Sequence, residues 1–555
     1  MSSSGIIKSK YDKYILIAFP FAFAAVCVML FWKCRYGFPY EESFYYYTAF
    51  RFSRGDIPII HEWHVSQFSF IYLEPLVDLF VKIKGSTEGI ALFMRYAFTV
   101  SWSIFALFTF IRLAKVSLPA AASVSLFLLA YTPAGQMALY YNSIGIMTLL
   151  ASCLIMATAE KYKPFQYIAA GLLYAVSVTC CPFLAVLWII LAVIGIRGLI
   201  KKNDHGSMWL WLTAGAAALG AALLILLLCK ADLNNYLSML PKMFNDSEHN
   251  WNILTKIADY IGSILLSTVT SGVLILISLL NVVYTYLKKD KADKKRGFII
   301  SCVLVLALLV SFLIQNNLIN NLMFPFSLLG LYCIVCLNDE TNRKLFFFVW
   351  LPGMIYTFCL HMSSNMEFVA IASAASIASA ASIVMAIRCC SMFRAEGKWK
   401  IAAAVLAAAI LLQIAAITER RIRYVFVSDD ISLTTQKIES GFAKGIYETP
   451  EWVSFYNGKC SELEEIKDND SVKRILVVST EWWMYLESGR DIACYTAWIP
   501  NMTPQGLDDY YNLYPDRRPD AIYVDPGYAA YVPQFEFQGY KGHANDAGGY
   551  ILYPY

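Results

Sequence analysis

The chain has 555 residues, 58% of them hydrophobic and 15% charged, with a mean hydropathy of +0.51. Soluble domains carry about 25% charged residues, so composition excludes an ordinary soluble protein and places the chain in a bilayer. The net charge of +4 is small and scattered, which excludes a nucleic-acid partner.

The first apolar run, Tyr14 to Phe31, follows Lys8, Lys10 and Lys13 and has no small-x-small cleavage site after it. It is read as an uncleaved first span. Runs of about 17 to 25 apolar residues are long enough to cross a bilayer as helices. Thirteen are predicted: 14–33, 90–112, 118–138, 143–160, 165–181, 183–199, 208–229, 258–286, 297–314, 322–337, 345–361, 367–387 and 400–417.

Basic residues test the threading, because cytoplasmic loops are enriched in Lys and Arg. With the N-terminus inside, the inner loops hold Arg112 and Lys115, then Lys161 and Lys163, then Arg197, Lys201 and Lys202. They continue with the run Lys288 to Arg296, Arg343 with Lys344, and Arg388, Arg394, Lys398 and Lys400. The alternation holds throughout, and the tail from Thr418 to Tyr555 falls outside.

Two outside segments are long. In the first, 34–89, the stretch Phe68 to Ile83 is apolar but interrupted by Glu74, Pro75 and Asp78, so it is predicted to lie along the interface. The second, 231–257, carries Lys242, Asp246, Glu248 and His249. In the tail, KRILVVST (473–480) and PDAIYVD (519–525) read as short buried strands. The predicted fold class is therefore a polytopic α-helical membrane protein of about thirteen transmembrane helices, with a small extracytoplasmic C-terminal α/β domain. The domain division is 1–417 and 418–555. Of fourteen cysteines only Cys460 and Cys494 lie in the tail, either as one bridge or as two buried thiols. The Ala-rich stretches around 371–382 and 402–409 favour close helix packing.

The first outside loop concentrates the chemistry: Glu41, Glu42, Tyr45 to Tyr47, Arg51, Arg54, Asp56, HEWH (61–64), Gln67 and Glu74. If the residues after Pro39 are helical, Glu42 shares a face with Tyr45 and Tyr46, and Glu41 neighbours Phe44 and Tyr45. A carboxylate among aromatics at a membrane surface is partly desolvated, and its pKa rises toward that of a general base. The bland reading is a solvated helix start favoured by the helix dipole. Arg51 and Arg54 have the shape to bind a phosphate. His61, Glu62 and His64 are possible metal ligands, but the histidines are at i and i+3 and not at the i, i+4 spacing of HExxH. Substrate contact or interfacial packing is the favoured role for His61 and His64. Tyr141 and Asn142 offer hydrogen bonds to a sugar or form part of the aromatic belt, and Lys242 binds a lipid phosphate or snorkels. The aromatic tail segment Thr480 to Trp498 contacts a glycan, meets the bilayer or forms a core. No Walker A, GxGxxG, GxSxG or CxxC pattern is present, which speaks against a nucleotide-driven pump or a cytosolic active site.

EESFYYYTAFRFSRGDIPI followed by QFSFIYLEPL, and then KGSTEGIALFMRYAF (84–98), resembles the GT-C superfamily of integral-membrane glycosyltransferases. The layout is similar to that of protein O-mannosyltransferases and aminoarabinose transferases. The motif likeness covers about the first 160 residues. The resemblance implies that Glu41 is the catalytic acid of the pair, with Glu42 beside it. It also implies an inverting transfer of a monosaccharide from a polyprenyl-phosphate donor to a glycan, lipid or protein acceptor of the cell envelope. No cofactor is implied. The chain departs from the pattern in having Glu for the commoner Asp and Gln67, near His64, for an expected basic residue. It also lacks a second acid between spans three and four. Arg51, Arg54, His64 and Lys242 all stand as candidates for the phosphate.

The expected location is a plasma membrane, with the N-terminus cytoplasmic and the C-terminal domain outside. The rival reading is a transporter or flippase, or a polymerase, of lipid-linked glycans. Transporters commonly show inverted repeats and broken helices at the midplane; no repeat is evident here, and charge within the spans is scarce.

Overall fold

A computed structural model describes residues 10–159, 163–201, 204–244, 252–288, 290–315, 319–392, 399–425, 429–545 and 548–555. Lys8, Lys161, Lys202, Asp246, Glu248, His249, Lys289, Arg394 and Lys398, used above, lie outside the described residues.

The helices begin with α1 (Lys10–Lys33), α2 (Tyr40–Ser53), α3 (Glu74–Lys84), α4 (Ile90–Ala114), α5 (Leu118–Ala130) and α6 (Tyr141–Ala157). There follow α7 (Pro164–Cys180), α8 (Ala185–Ile200), α9 (Asp204–Leu228), α10 (Leu233–Phe244), α11 (Ile253–Leu266) and α12 (Val269–Leu287). The bundle closes with α13 (Lys291–Ile314), α14 (Leu329–Cys336), α15 (Glu340–Leu345), α16 (Leu351–Met362), α17 (Glu367–Met392) and α18 (Trp399–Arg423). Eleven helical segments are long and apolar enough to cross a membrane, among the described residues. The two remaining expected spans are α6 and α7, apolar but 17 residues each. The chain is a multi-pass membrane protein.

Local chemistry explains where the helices depart from the simple runs. The expected span 258–286 is two helices, because Thr268 caps α12 by accepting from Ser271 N at 3.1 Å and so ends α11 before it. The run 322–337 starts as 3₁₀ turns around Pro325 before α14 forms. Between α15 and α16 the helix widens to a π-turn over Phe346–Trp350, just ahead of Pro352, whose ring nitrogen has no hydrogen to donate. The interruption at Glu74-Pro75 separates a 3₁₀ helix, Val65–Tyr72, from α3.

The Ala- and Ser-rich α17 is almost wholly buried at the centre of the bundle; its small side chains admit neighbouring backbones closely. Helices α7 and α9 approach equally closely, for a Cβ on Gly171 would lie 2.0 Å from Leu212 O and one on Gly215 2.1 Å from Ile168 O.

Beyond α18 come two short antiparallel pairs, β1 (Tyr424–Val425) with β2 (Asp429–Asp430) and β3 (Gln436–Lys437) with β4 (Tyr447–Glu448). Then follow α19 (Pro450–Glu462), α20 (Glu464–Lys467), β5 (Arg474–Val478), α21 (Trp483–Ser488), β6 (Asp491–Ile492), α22 (Pro504–Leu513), β7 (Ala521–Val524), α23 (Val532–Phe537), β8 (Tyr540–Ala544) and β9 (Tyr550–Pro554). The last five strands form one sheet in the order β6-β5-β7-β9-β8. Strands β6, β5 and β7 are parallel, and Val477 pairs with Tyr523. Both strands read from sequence are present, and β5 and β7 are buried on both faces as their unbroken apolar runs require.

The tail packs on the first loop. Trp63 N donates to Tyr495 O at 2.8 Å and Gly89 N to Gly441 O at 2.9 Å. Gly37 has φ +86° and meets Val425 so closely that a Cβ would lie 2.9 Å from it, so this contact needs glycine. All fourteen cysteines are free thiols, and Cys494 lies 3.3 Å from the Tyr485 hydroxyl.

Candidate active site

Helix α2 follows Pro39, which fixes the backbone at the turn, and it carries both acids in its first turn. The i, i+4 spacing puts Glu41 with Tyr45, and Glu42 with Tyr46, on neighbouring stripes of the helix. The adjacent carboxylates thereby enter different surroundings.

Glu42 is buried and paired. Its Oε2 accepts from Arg95 Nε at 2.6 Å, and its Oε1 from Met137 N at 2.9 Å. Arg95 completes its shell on the carbonyls of Cys34, Tyr36 and Gly37. The pair therefore locks the end of α1, the start of α2, α4 and the loop after α5 together. An arginine inside an apolar run is itself a signal that a partner acid lies nearby.

Glu41 has no cation partner among the described residues. It accepts from Gln136 Nε2 and is partly exposed. Burial, and then the Glu42 charge, raise its pKa above the usual carboxylate value. Tyr45, Tyr140 and Tyr141 surround it; the rings of Tyr45 and Tyr140 stack at 4.8 Å and 12°. Tyr40, Glu41, His64, Tyr141 and Trp498 are each partly exposed. Asn142 is buried beside Tyr141, with its Oδ1 unpartnered.

The tail packs against this part of α2. Trp482 and Trp498 stack at 4.9 Å, and Phe44 meets both edge-on, at 5.4 and 5.3 Å. Of the aromatic tail segment, Trp483 is core, whereas Trp482 and Trp498 join the tail to α2. The neighbouring Glu481 is pushed up to about 7 by burial and holds Trp483 Nε1 at 2.6 Å.

The other loop residues expected at the site mostly hold the loop itself. Arg51 is fully enclosed: Nε donates to Asp56 at 2.7 Å, Nη1 to Glu62 at 2.5 Å, and Nη2 to the carbonyls of His61 and Cys494 at 2.8 Å. Four of its five N–H groups are thus spent inside the protein. Burial works to raise Asp56, but Arg51 and Arg517 outweigh it and hold its carboxyl below the usual range. His61 accepts from Ile57 N at 3.0 Å, and burial lowers it to about 4. Gln67 is spent on the backbone, accepting from Ile59 N at 2.5 Å and donating to the carbonyls of Glu62 and His64. His64 Nδ1 accepts from Ser66 N at 3.2 Å, and its ring lies edge-on to Phe44. Arg54 pairs with Asp491 at 2.8 Å and Lys242 with Asp509 at 2.5 Å, both at the seam with the tail. His61, Glu62 and His64 thus turn to three different sets of partners.

The structure brings in residues that the sequence did not mark. Lys256 at the start of α11 donates to Ser364 O at 2.9 Å and Asn365 Oδ1 at 3.1 Å. His361 is buried beside the Tyr260 ring, with the backbone of Lys256 and Glu367 near its imidazole. Cys181, which neighbours Tyr141, lies 3.7 Å from Ser363, the residue before the Ser364 that accepts from Lys256. A separate cavity of about 510 Å³, lined by Met156, Gly195 and Phe347, lies at the far end of α6 from Glu41.

No family model matches the sequence, and no curated protein matches it significantly. Among solved structures, the apo-form oligosaccharyltransferase of Archaeoglobus fulgidus aligns over 96% of this chain and 73% of its own, at 11% identity and a TM-score of 0.51. The A. fulgidus oligosaccharyltransferase AglB, in complex with an inhibitory peptide and a dolichol-phosphate, aligns over 98% and 74% at 11% identity, TM-score 0.48. ArnT from Cupriavidus metallidurans, bound to undecaprenyl phosphate, aligns over 97% of both chains at 10% identity, TM-score 0.49. Spans, first-loop helices and C-terminal domain together have the fold of the apo-form A. fulgidus oligosaccharyltransferase.

Proposed function

We propose that this protein is an inverting glycosyltransferase that takes a monosaccharide from a polyprenyl phosphate and passes it to a cell-envelope glycan, lipid or protein, with Glu41 as general base. One observation carries the reading: of two adjacent carboxylates, Glu42 is bound to Arg95, while Glu41 is partly exposed, partly desolvated and without a cation partner among the described residues. A base must be free to meet the acceptor hydroxyl, and both Glu42 oxygens are committed to Arg95 and the Met137 amide while Glu41 is held only by Gln136 among the described residues. The shared fold adds support by analogy only.

In this reading the acceptor hydroxyl lies against Glu41 and loses its proton to Oε2 or Oε1. The resulting oxygen attacks the anomeric carbon, and the bond to the phosphate oxygen breaks on the opposite face. Tyr45, Tyr141 and Asn142 line the sugar's position, and His64 with Trp498 lies toward the acceptor side. Arg51 and Gln67 act as loop-positioning groups. With Arg54 and Lys242 paired to the tail, we assign the leaving phosphate to Lys256 and His361. The reading calls for no cofactor. It places the N-terminus in the cytoplasm and the tail outside a plasma membrane, in accord with the loop charges.

The test is sugar release from a polyprenyl-phosphate donor by purified parent, Glu41→Gln and Glu42→Gln proteins. Glu41→Gln is expected to lower kcat about 10²- to 10⁴-fold, the usual span for removing a general base. Turnover of Glu41→Gln at the parental rate removes the base assignment. A parent that releases no sugar from any such donor, yet moves lipid-linked glycan across vesicles, returns the chain to the transporter reading.

A further inference from the structure

Two buried cations, Lys33 and Arg421, form no ion pair among the described residues. Lys33 ends α1 and Arg421 lies in the last turn of α18; they are 2% and 3% exposed. Lys33 Nζ has no hydrogen-bond partner among the described residues. Among the described residues Arg421 uses only Nη1, which donates to Gly135 O at 3.0 Å, while its Nε and Nη2 are buried and unpartnered. The charges of Arg421 and Arg95 both act on Lys33, so three cations converge where α1, α4 and α18 meet.

The acids facing them are already engaged. Glu42 is held by Arg95. Glu448 accepts from the backbone N–H groups of Phe38 and Thr449. Asp430 is bound by Arg423 at 3.1 Å and by Ser432. The remaining neighbour of Arg421, Cys34, shares its sulfur with Thr99 at 3.2 Å. Burying cations this way is costly unless an anion meets them.

We propose that Lys33 and Arg421 hold an oxyanion of the phosphate class. The free Nε and Nη2 lie along one edge of the guanidinium and present parallel N–H groups, a geometry that fits two oxygens of a phosphate and is wasted on a spherical halide. Lys33 adds a point charge with donors that rotate to a third oxygen. The site sits at the ends of two membrane spans, so the phosphate comes either from a lipid headgroup or from free solution. The inference rests on burial and charge alone and does not depend on the transfer reading.

The test uses the full-length protein in detergent and in nanodiscs. Melting temperature is followed against inorganic phosphate at constant ionic strength with chloride, and in phosphatidylglycerol against phosphatidylcholine bilayers. A saturable rise with inorganic phosphate identifies a free ion; a rise with phosphatidylglycerol alone identifies a headgroup. Either is expected to weaken about ten-fold or more in Lys33→Met and in Arg421→Lys, the latter keeping the charge but losing the two-pronged edge. Lys33→Met leaves the proposed donor-phosphate position at Lys256 and His361 intact, so failure here is distinct from failure of the transfer reading. If Arg421→Lys does not fold, Lys33→Met decides alone. The proposal is overturned if neither phosphate source shifts the parent, or if Lys33→Met responds as the parent does.

Discussion

Replacing Glu42 by Gln removes the only carboxylate bonded to Arg95 among the described residues and leaves that buried guanidinium without its ion-pair partner. Breaking such a pair from one side costs about 3–5 kcal/mol. A clear loss of melting temperature is expected for Glu42→Gln, whereas Glu41→Gln, which gives up only a contact from Gln136, is expected to melt like the parent. The same contrast sets the pH dependence. Only ionised Glu41 accepts a proton, and its pKa is raised by burial and by Glu42. As pH falls through that raised pKa, kcat/KM is expected to drop, with the acid limb above the ordinary glutamate value of about 4.3. A limb at the ordinary value would show that Glu41 is solvated during turnover.

At the level of elements, backbone contact between α7 and α9 rests on two glycines. A side chain at Gly171 or Gly215 would drive Cβ into a main-chain carbonyl of the facing helix, and a backbone atom does not move aside as a flexible side chain can. Gly215→Val is therefore expected to part the two helices and cost about 1–3 kcal/mol or more by overpacking. The yield of monodisperse protein and its melting temperature report this. Gly220→Ala on α9, where nothing lies within 4 Å of an added Cβ, serves as the control. The α2 element was largely legible beforehand, since the aromatic and acidic residues after Pro39 carry a helical spacing. The assignment of partners within it was not, because i, i+3 and i, i+4 neighbours are both compatible with the sequence and only packing selects between them.

Across the whole molecule, the first loop and the tail form one body around Arg51. Asp56 receives both Arg51 and Arg517, and the Tyr47 hydroxyl accepts from Ala497 N at 3.0 Å. Arg51→Leu leaves Asp56 and Glu62 buried with one cation fewer, at a cost of about 3–5 kcal/mol. The expected outcome is a tail that becomes sensitive to limited proteolysis while the spans stay intact. A protease pattern identical to the parent's would show that the tail is held without Arg51. An arginine and an aspartate five residues apart are visible in any sequence; their closure on a carbonyl 443 residues away is not.

The amino-acid sequence by itself determined the membrane setting, the succession of apolar segments, the amphipathic turn after the first span and the two buried strands of the tail. These depend on hydrophobic runs and short-range spacing, which are properties of neighbouring residues. Only the tertiary structure decided which acid is free, because that turns on Arg95, Met137 and Gln136 from other elements meeting two adjacent carboxylates differently. It also turned Arg51 and Gln67 from ligand candidates into supports, and brought Lys256, His361 and the Lys33–Arg421 cluster into view. Charges reveal their roles through the partners they find, and partners far apart along the chain are set by folding.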